Sequence, residues 1–275
     1  MTRISVLQMT SGTDPGRNAA DMVRAVEDSA KMGARMMFTP EMSGILDRDR
    51  ARCASHLYPE SEDSVLAAMR GAAREHGIWI AIGSLAIERE DGKWANRSFV
   101  LNEQGEIAAR YDKMHMFDAE LDTGESWRES AAYTAGTEVA AVDTPAGRLG
   151  LTICYDIRFP GLYDALGKLR CDIVAIPAAF TFPTGLAHWE ILARARAIEC
   201  SAYVVAAAQA GKHEDGRTTY GHSLVVDPWG EVLLDMGGEG PGLAFAEIDP
   251  ERIGKARRQV PSLDNKQLMP NWNSQ

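Results

Sequence analysis

A single cysteine ends an apolar run in the middle of the chain. Residues 149–160 read LGLTICYDIRFP, so Cys154 follows the run and is itself followed at once by polar and charged residues and a proline. This pattern predicts a buried strand that ends in a sharp turn, with the thiol exposed at its tip. A reactive thiol needs both a rigid support and an opening to substrate, and the segment offers both. Cys154 is therefore a candidate nucleophile.

Two other apolar runs also end in a residue that could take part in this chemistry. Glu41 follows the run Met36–Thr39, and Lys113 follows Ile107–Tyr111. A carboxylate can accept the proton of a thiol, and an ammonium can stabilise an oxyanion. Taken singly, a solvated glutamate, a surface lysine and a packed cysteine are the more ordinary explanations. The spacing alone does not show that the three side chains meet.

The rest of the chain alternates between predicted strands and helices. Apolar runs rich in valine and isoleucine predict strands at Ile4–Met9, Met36–Thr39, Ile78–Ser84, Ser98–Asn102, Ile107–Tyr111, Val139–Val142, Leu149–Ile153, Ile173–Pro177, Tyr203–Ala208, Ser223–Val226 and Leu243–Ile248. Helical periodicity predicts helices at Asn18–Met32, Ser64–His76, Leu186–Cys200 and Ile253–Arg258. Asn102–Gly105 and Asp227–Gly230 are typical of hairpin turns. Mixed sheets covered by helices follow, in the α/β or layered α+β class.

Composition excludes several classes of protein. The chain has 275 residues, and its formal net charge of −10 argues against a nucleic-acid partner. No apolar run approaches the length of a membrane span, and residues 1–6 lack the pattern of a signal peptide. We therefore expect a cytoplasmic protein without a membrane partner. One domain over residues 1–275 is predicted, with residues 259–275 as a polar tail that either frays or packs on a partner chain.

No cofactor is expected from the sequence. The four cysteines, Cys53, Cys154, Cys171 and Cys200, are scattered, which favours free thiols in a reducing compartment over disulfides. The histidines show no short-spaced pair of metal ligands, and neither a phosphate-binding loop nor a dinucleotide fingerprint is present. We predict chemistry that needs neither a metal nor an organic cofactor.

Several motifs in order resemble the nitrilase, or carbon-nitrogen hydrolase, superfamily. The chain is most similar to the Nit-type amidases that act on deaminated glutathione, and the resemblance covers nearly all of it. The motifs that carry it are Thr39–Glu41, Tyr111–Asp118, Arg128–Ser130, Cys154–Pro160, His188–Glu190, Arg194–Glu199, Tyr220–Ser223 and Asp227–Gly230.

The resemblance implies a fold, a set of site residues and an assembly. The fold is a four-layer α-β-β-α sandwich. Glu41, Lys113 and Cys154 correspond to a catalytic triad, and Glu129 to a second glutamate of the site. A homodimer, often built into larger assemblies, is also implied.

The chemistry of these groups predicts a mechanism for amide hydrolysis. Cys154 attacks the amide carbonyl carbon while Glu41 accepts the thiol proton. Lys113 and the backbone N–H of Tyr155 stabilise the oxyanion, and one such donor lowers the barrier by roughly 3–4 kcal/mol. Ammonia then leaves, and water activated by Glu41 hydrolyses the thioester. Glu129 is expected to hold Lys113 in place.

Three further residues are predicted to contact substrate. Chains of the superfamily that cleave nitriles commonly carry Trp-Glu after the nucleophile, whereas Tyr155–Asp156 follows here, as in its amidases. Arg158 is a candidate partner for a substrate carboxylate, although it could instead tie Asp156 or a helix end into the fold. Phe180 and Thr184 are candidates for the pocket wall, suited to a carbon chain and a 2-oxo group.

Other functions remain open at this point. The expected substrate is a small ω-amide that carries a carboxylate, with deaminated glutathione as the leading candidate. Within the same chemistry, the substrate could instead be 2-oxoglutaramate or 2-oxosuccinamate, an N-carbamoyl amino acid, or a nitrile. A Cys-His hydrolase of the papain type would use a histidine as base instead of Glu41. A non-catalytic binding protein on the same scaffold would need none of the three charged or nucleophilic groups.

Overall fold

The computed structural model describes residues 1–120, 122, 124 and 126–267. Its strands are β1 (Thr2–Gln8), β2 (Met36–Phe38), β3 (Trp79–Glu88), β4 (Trp94–Leu101), β5 (Ile107–Asp112), β6 (Asp118–Glu120), β7 (Ser126–Arg128), β8 (Ala141–Thr144), β9 (Gly147–Leu151), β10 (Ile173–Ala175), β11 (Tyr203–Ala206), β12 (Ala210–Lys212), β13 (Thr218–Tyr220), β14 (Leu224–Val226), β15 (Val232–Asp235) and β16 (Gly242–Ile248). Its helices are α1 (Pro15–Lys31), α2 (Arg50–Ala54), α3 (Ser64–His76), α4 (Pro160–Lys168), α5 (Phe182–Cys200) and α6 (Pro250–Gln259).

The strands form two six-stranded mixed sheets. The first has the order β16-β1-β2-β3-β4-β5, and the second has the order β15-β14-β11-β10-β9-β8. The neighbouring strands β1, β2 and β3 run parallel, as do β9, β10 and β11. Parallel neighbours end at the same edge of a sheet, so residues that follow β2 and β9 lie at defined edges. Two small hairpins, β6–β7 and β12–β13, stand outside the sheets.

Alternating side chains divide the apolar residues of the first sheet between two cores. Val6 packs in a cluster with second-sheet residues such as Leu149, whereas its neighbour Leu7 packs with Met22 of α1. Successive side chains of a strand point to opposite faces, so one face of the first sheet meets the second sheet and the other meets α1 and α3. Trp189 of α5 joins the cluster on the far side of the second sheet. The predicted α-β-β-α order is confirmed.

The helix ends follow local sequence signals. Asp14 accepts hydrogen bonds from the N–H groups of Gly16 and Arg17, and Pro15 occupies the first position of α1. The structure has α3 at Ser64–His76, as predicted, because Asp63 caps its start and Gly77 ends it in the left-handed region with φ 63°.

Some element boundaries differ from the prediction. Helix α5 begins at Phe182 and not at Leu186, because Pro183 suits the first turn of a helix, where its missing N–H costs nothing. Helix α4 was not predicted, since Pro160 was interpreted only as the end of the cysteine segment, yet it starts this helix. Both helices matter for the site, because each directly follows a segment that lines it.

The C-terminal segment packs on its own chain. After α6, Leu263 lies over Gly167, where a built Cβ would be 2.8 Å from Leu263 Cδ2, and Asp264 forms an ion pair with Arg170. The start of the predicted tail at 259–275 therefore contacts α4, and residues 268–275 lie outside the described part. In the described part of the chain, no helix is long and apolar enough to cross a membrane.

Candidate active site

Three strand ends from two sheets meet at one buried point. Glu41 follows β2, Lys113 directly follows β5 at the edge of the same sheet, and Cys154 follows β9 of the facing sheet. The Lys113 ammonium donates a 2.9 Å hydrogen bond to Glu41 Oε1, and the Cys154 thiol interacts with the same carboxylate. The three side chains are 2–8% exposed. The convergence that the sequence could not show is present in the structure.

Gly83 lies where the two sheets approach each other closely. A Cβ built at Gly83 would be 2.1 Å from the carbonyl oxygen of Thr39, 2.4 Å from that of Pro40 and 2.5 Å from Cβ of Pro177. Residues 39 and 40 lead directly to Glu41, and the Pro177 carbonyl accepts a 2.8 Å hydrogen bond from the N–H of Cys154. The lack of a side chain at this glycine therefore lets the carboxylate and the thiol approach.

The turn that carries Cys154 is sharp and well supported. Cys154 has φ 49°, in the left-handed region that a residue with a side chain adopts at a cost of about 1–3 kcal/mol. Asp156 holds the turn, because its buried carboxylate accepts hydrogen bonds from the N–H of Ile153 at 2.9 Å and from the hydroxyl of Tyr111 at 2.7 Å. The thiol is thus fixed at the tip of the turn.

Glu129 and Asn96 complete a small charged network. Both carboxylate oxygens of Glu129 accept hydrogen bonds from Lys113, at 3.1 and 2.9 Å, and one also accepts from the N–H of Phe117. The Asn96 amide donates to Glu41 and to Glu129, each at 3.0 Å. Asn96 was missed in the sequence, because a single asparagine within a strand has no distinguishing pattern. Its position in β4, which pairs with β5, brings it beside Lys113.

Burial and charge set the resting protonation states. Burial alone would raise the pKa of Glu41, but the attraction of Lys113 and hydrogen bonds from Cys154, Lys113 and Asn96 outweigh it and lower that pKa. Burial opposes the charge of Lys113, but Glu129 and Glu41 hold its pKa well above the usual range. Burial, followed by repulsion from Glu41, raises the pKa of the Cys154 thiol well above 9. The resting site thus holds a carboxylate, an ammonium and a neutral thiol.

The network opens into a cavity of about 290 Å³. This volume is at the lower end of the range of small-molecule sites. The wall beyond the thiol is cationic and aromatic, and it includes Arg48, Arg50, Arg128, Arg217, Trp94, Trp127 and Tyr133. Besides Glu41 and Glu129, the lining has four arginines but only one further carboxylate, that of Asp47. This part of the surface is therefore rich in positive charge, although the whole chain carries a net charge of −10. The cavity therefore suits a small anionic ligand.

A second, narrow recess of about 20 Å³ also touches Cys154, and its lining includes Tyr155, Arg158, Phe180 and Thr184. The structure thus brings all four of these sequence-predicted residues beside the thiol. Within the described residues, the N–H of Tyr155 has no hydrogen-bond acceptor, which leaves it available to an oxyanion.

The side chains of this recess also have structural contacts. Nη2 of Arg158 lies 3.2 Å from Nδ1 of His188 on α5. Arg158 therefore contacts this helix as well as lying beside the thiol. Phe180 packs on Trp189 with ring centroids 4.8 Å apart. The hydroxyl of Thr184 hydrogen-bonds that of Thr181 at 2.7 Å. A substrate oxygen would therefore share the Thr184 hydroxyl with Thr181.

The four cysteines are unpaired and buried. Cys53 lines the larger cavity, but burial raises its pKa to about 11. The pKa values of Cys171 and Cys200 are likewise raised by burial, to about 11 and about 12. Neither Cys171 nor Cys200 lines the cavity or the recess. Among the cysteines, Cys154 alone contacts Glu41 and Lys113 in the described network.

Comparisons with known proteins agree with this architecture. The family model described as carbon-nitrogen hydrolase matches residues 3–258. A protein of Yersinia enterocolitica named deaminated glutathione amidase is 38% identical over 272 residues, covering 97% of this chain and 93% of its own length.

Solved structures are similar over almost the whole chain. The Caenorhabditis elegans NitFhit protein has a TM-score of 0.88 at 37% identity, covering 97% of this chain and 65% of that one. Saccharomyces cerevisiae Nit3, described as a member of branch 10 of the nitrilase superfamily, has a TM-score of 0.86 at 28% identity and covers 97% and 96%. With the family model matched over most of its length, this chain belongs to the carbon-nitrogen hydrolase family.

Proposed function

We propose that the chain is a thiol amidase that acts on a small carboxylate-bearing amide, with deaminated glutathione as its substrate. The observation that carries the proposal is the position of the Glu41 carboxylate, which accepts a hydrogen bond from the Lys113 ammonium and lines the same cationic cavity as the Cys154 thiol. The name of the Yersinia relative supports the choice of substrate. Glu41, Lys113 and Cys154 are the proposed catalytic residues.

The first step forms a carbon–sulfur bond. The sulfur of Cys154 attacks the amide carbonyl carbon, and the thiol proton passes to Glu41. The lowered pKa of Glu41 keeps this acceptor ionised, while the raised pKa of Cys154 keeps the thiol neutral until it reacts. Proton transfer therefore accompanies attack, because a free thiolate is not stabilised beforehand.

Attack converts the carbonyl oxygen into an oxyanion. The Lys113 ammonium and the N–H of Tyr155 are the proposed donors to it, and each well-placed donor lowers the barrier by about 3–4 kcal/mol. Glu129 accepts two hydrogen bonds from Lys113 and so fixes the direction of that ammonium. Glu129 is thus a positioning residue for Lys113 in this proposal.

The second step breaks the carbon–nitrogen bond. Glu41 returns its proton to the leaving nitrogen, and a thioester remains on Cys154. The ammonia expected from the sequence is wrong for deaminated glutathione, a secondary amide whose leaving amine is the dipeptide cysteinylglycine. Ammonia is released only from a primary amide such as 2-oxoglutaramate. Water, deprotonated by Glu41, then hydrolyses the thioester and restores the thiol. Both of these substrates yield 2-oxoglutarate.

The common product allows a direct test. Deaminated glutathione, 2-oxoglutaramate, an N-carbamoyl amino acid and a simple nitrile are offered to the chain and to its Cys154→Ala variant. We expect 2-oxoglutarate and a free dipeptide from deaminated glutathione, a higher kcat/KM than for the other compounds, and no turnover by the variant. Intact mass during turnover should show an acyl adduct on Cys154. Turnover that survives Cys154→Ala, or the absence of any dipeptide release, would reject the proposal.

The finer setting of the protein also belongs to this proposal. We infer a single hydrolase domain that works in the cytoplasm as a homodimer or a larger homo-oligomer. The family resemblance supports the assembly, and the scattered free cysteines support a reducing compartment. Light scattering on the purified chain tests the assembly, and a monomer at micromolar concentration would contradict it.

A further inference from the structure

Arg217 lies on the wall of the larger cavity, in the turn between β12 and β13. The Asp215 carboxylate accepts hydrogen bonds from the backbone N–H of Arg217 at 3.0 Å and from its Nε at 2.7 Å. The turn is closed by the N–H of His213, which donates to the carbonyl of Arg217 at 2.9 Å. These contacts hold the inner edge of the guanidinium and fix the direction of its outer end.

The outer end of this guanidinium is unused in the fold. Within residues 1–120, 122, 124 and 126–267, neither Nη1 nor Nη2 of Arg217 has a hydrogen-bond acceptor, although the side chain is only 13% exposed. Donors of a charged group that are withdrawn from water without a partner are costly. Two parallel N–H groups of this kind match the two oxygens of a carboxylate.

Trp127 of β7 provides a second unused donor beside this guanidinium. Its indole N–H is buried and has no acceptor in the described part of the chain. Cζ of Arg217 lies 5.0 Å from the centroid of the Trp127 ring, and Cζ of Arg48 lies 4.7 Å from it. Two guanidinium groups thus contact one ring, and an anion among them would reduce their mutual repulsion.

The charge balance around Arg217 agrees with an unfilled anion position. Burial lowers the pKa of Arg217, the nearby Asp215 opposes that shift, and Arg48 adds to it by repulsion. Asp215 therefore compensates only part of the cost of burying this charge. A second carboxylate in the cavity would supply the remainder.

We propose that Arg217 and Trp127 form a carboxylate-binding subsite for the amide substrate, separate from Arg158. The inference rests on the proposed function, because deaminated glutathione carries two carboxylates. One is on the acyl portion and the other ends the leaving dipeptide. The guanidinium end of Arg217 binds one of these carboxylates, and the indole N–H of Trp127 donates to it. The subsite makes the cavity selective for an acid on the side away from the narrow recess.

Binding to the Cys154→Ala protein tests the subsite without turnover. Calorimetry compares deaminated glutathione, its C-terminal glycinamide, 2-oxoglutaramate, and the analogue of deaminated glutathione in which both carboxylates are carboxamides. Adding Arg217→Gln should weaken the binding of deaminated glutathione by about 10-fold to 100-fold, the usual worth of a charge-assisted contact. It should leave the doubly amidated analogue unchanged.

Two further variants separate the subsite from general effects. Arg17→Gln is the matched control, because Arg17 forms an ion pair with Glu214 in the same turn but does not line the cavity. It changes the charge equally and should leave every affinity unchanged. Trp127→Phe keeps a ring but removes the N–H, and it should weaken binding of the recognised acid by about 5-fold. If Arg217→Gln does not fold, Trp127→Phe tests the subsite in its place.

The four ligands also identify the bound carboxylate. A loss confined to deaminated glutathione assigns the dipeptide carboxylate to Arg217. A loss shared by deaminated glutathione, its glycinamide and 2-oxoglutaramate assigns the acyl carboxylate. An equal loss with the doubly amidated analogue, or no loss with any ligand, overturns the subsite. If the unmodified chain fails to cleave deaminated glutathione while this binding pattern holds, the proposed function fails and the subsite stands.

Discussion

Asp156 binds His115 twice, through the backbone and through the ring. Its Oδ1 accepts a 3.1 Å hydrogen bond from the N–H of His115 and lies 2.7 Å from ring Nδ1, which must carry the proton to donate. The His115 ring also stacks on Phe159, with centroids 3.6 Å apart. One buried carboxylate therefore joins the loop after Lys113 to the turn that carries Cys154.

Asp156→Asn tests how much the hydrogen bonds of Asp156 contribute to stability and how much they contribute to the reaction rate. The amide nitrogen cannot accept the hydrogen bonds that one carboxylate oxygen now accepts, so we expect a loss of about 2–3 kcal/mol in the free energy of unfolding. Because the thiol is then held less firmly, kcat should fall at least 10-fold with little change in KM. Urea unfolding and steady-state kinetics measure both, with Asp28→Asn at an exposed position of α1 as control. An unchanged kcat in a folded variant would limit Asp156 to a structural role.

Lys113→Ala tests the charge balance of the network. The variant leaves the buried Glu41 and the partly buried Glu129 without their shared cation, so stability should fall by about 3–5 kcal/mol. Loss of the oxyanion donor should lower kcat by at least 100-fold in the protein that remains folded.

The same variant distinguishes the two thiol mechanisms. A Cys-His hydrolase would keep most of its kcat without Lys113, since its base is a histidine. Lys113→Arg serves as the partner variant, because it retains the cation in a different geometry and should recover part of the stability. Full activity of Lys113→Ala would remove the lysine from the mechanism.

Glu41→Gln should make the Cys154 thiol more reactive toward alkylation at a given pH but should lower the turnover rate. Repulsion from Glu41 raises the pKa of Cys154, while Lys113 lowers it. Removing the carboxylate therefore lowers the pKa of Cys154, and its alkylation should begin at lower pH than in the unmodified chain. Turnover should nevertheless fall by about 10²-fold to 10⁴-fold, because the proton acceptor is gone.

Peptide mass spectrometry follows alkylation of Cys154 separately from the other cysteines. The unmodified thiol should react slowly at neutral pH and faster as the pH rises, since the thiolate is the reactive form and its pKa is raised. The exposed Glu138→Gln serves as control and should keep the unmodified profile. An alkylation profile in Glu41→Gln that moves to higher pH would contradict the electrostatic argument.

Arg158→Met tests the predicted carboxylate contact in the narrow recess. If Arg158 pairs with a substrate carboxylate, KM for an acidic amide should rise by about 10-fold to 100-fold, and KM for a neutral amide should hardly change. Arg158→Lys keeps the charge without the planar fork and should fall between the two. An equal rise for both amides would leave Arg158 with its contact to His188 as its role.

Local patterns predicted the strand ends, but not all of their neighbours. Apolar runs of a few residues encode a strand, so the positions of Glu41, Lys113 and Cys154 after strands could be read directly. Their meeting depends on the pairing of two sheets, which no local pattern encodes, and the family resemblance supplied it. Asn96 and Arg217 were not predicted, because one lies within a strand and the other in a hairpin turn. Only the folded chain brings Asn96 to the charged network and Arg217 to the cavity.

The close approach of the two sheets at Gly83 restricts substitution there, in contrast to the hairpins that line the cavity. One methyl group added there would meet backbone of one sheet and a proline ring carbon of the other. The packing of the two sheets therefore sets the distance between the Glu41 carboxylate and the Cys154 sulfur. Arg217 and Trp127 of the cavity wall lie on small hairpins outside both six-stranded sheets, where this steric restriction does not apply. Divergence toward other amides would accumulate on those hairpins, while the reaction itself stayed fixed.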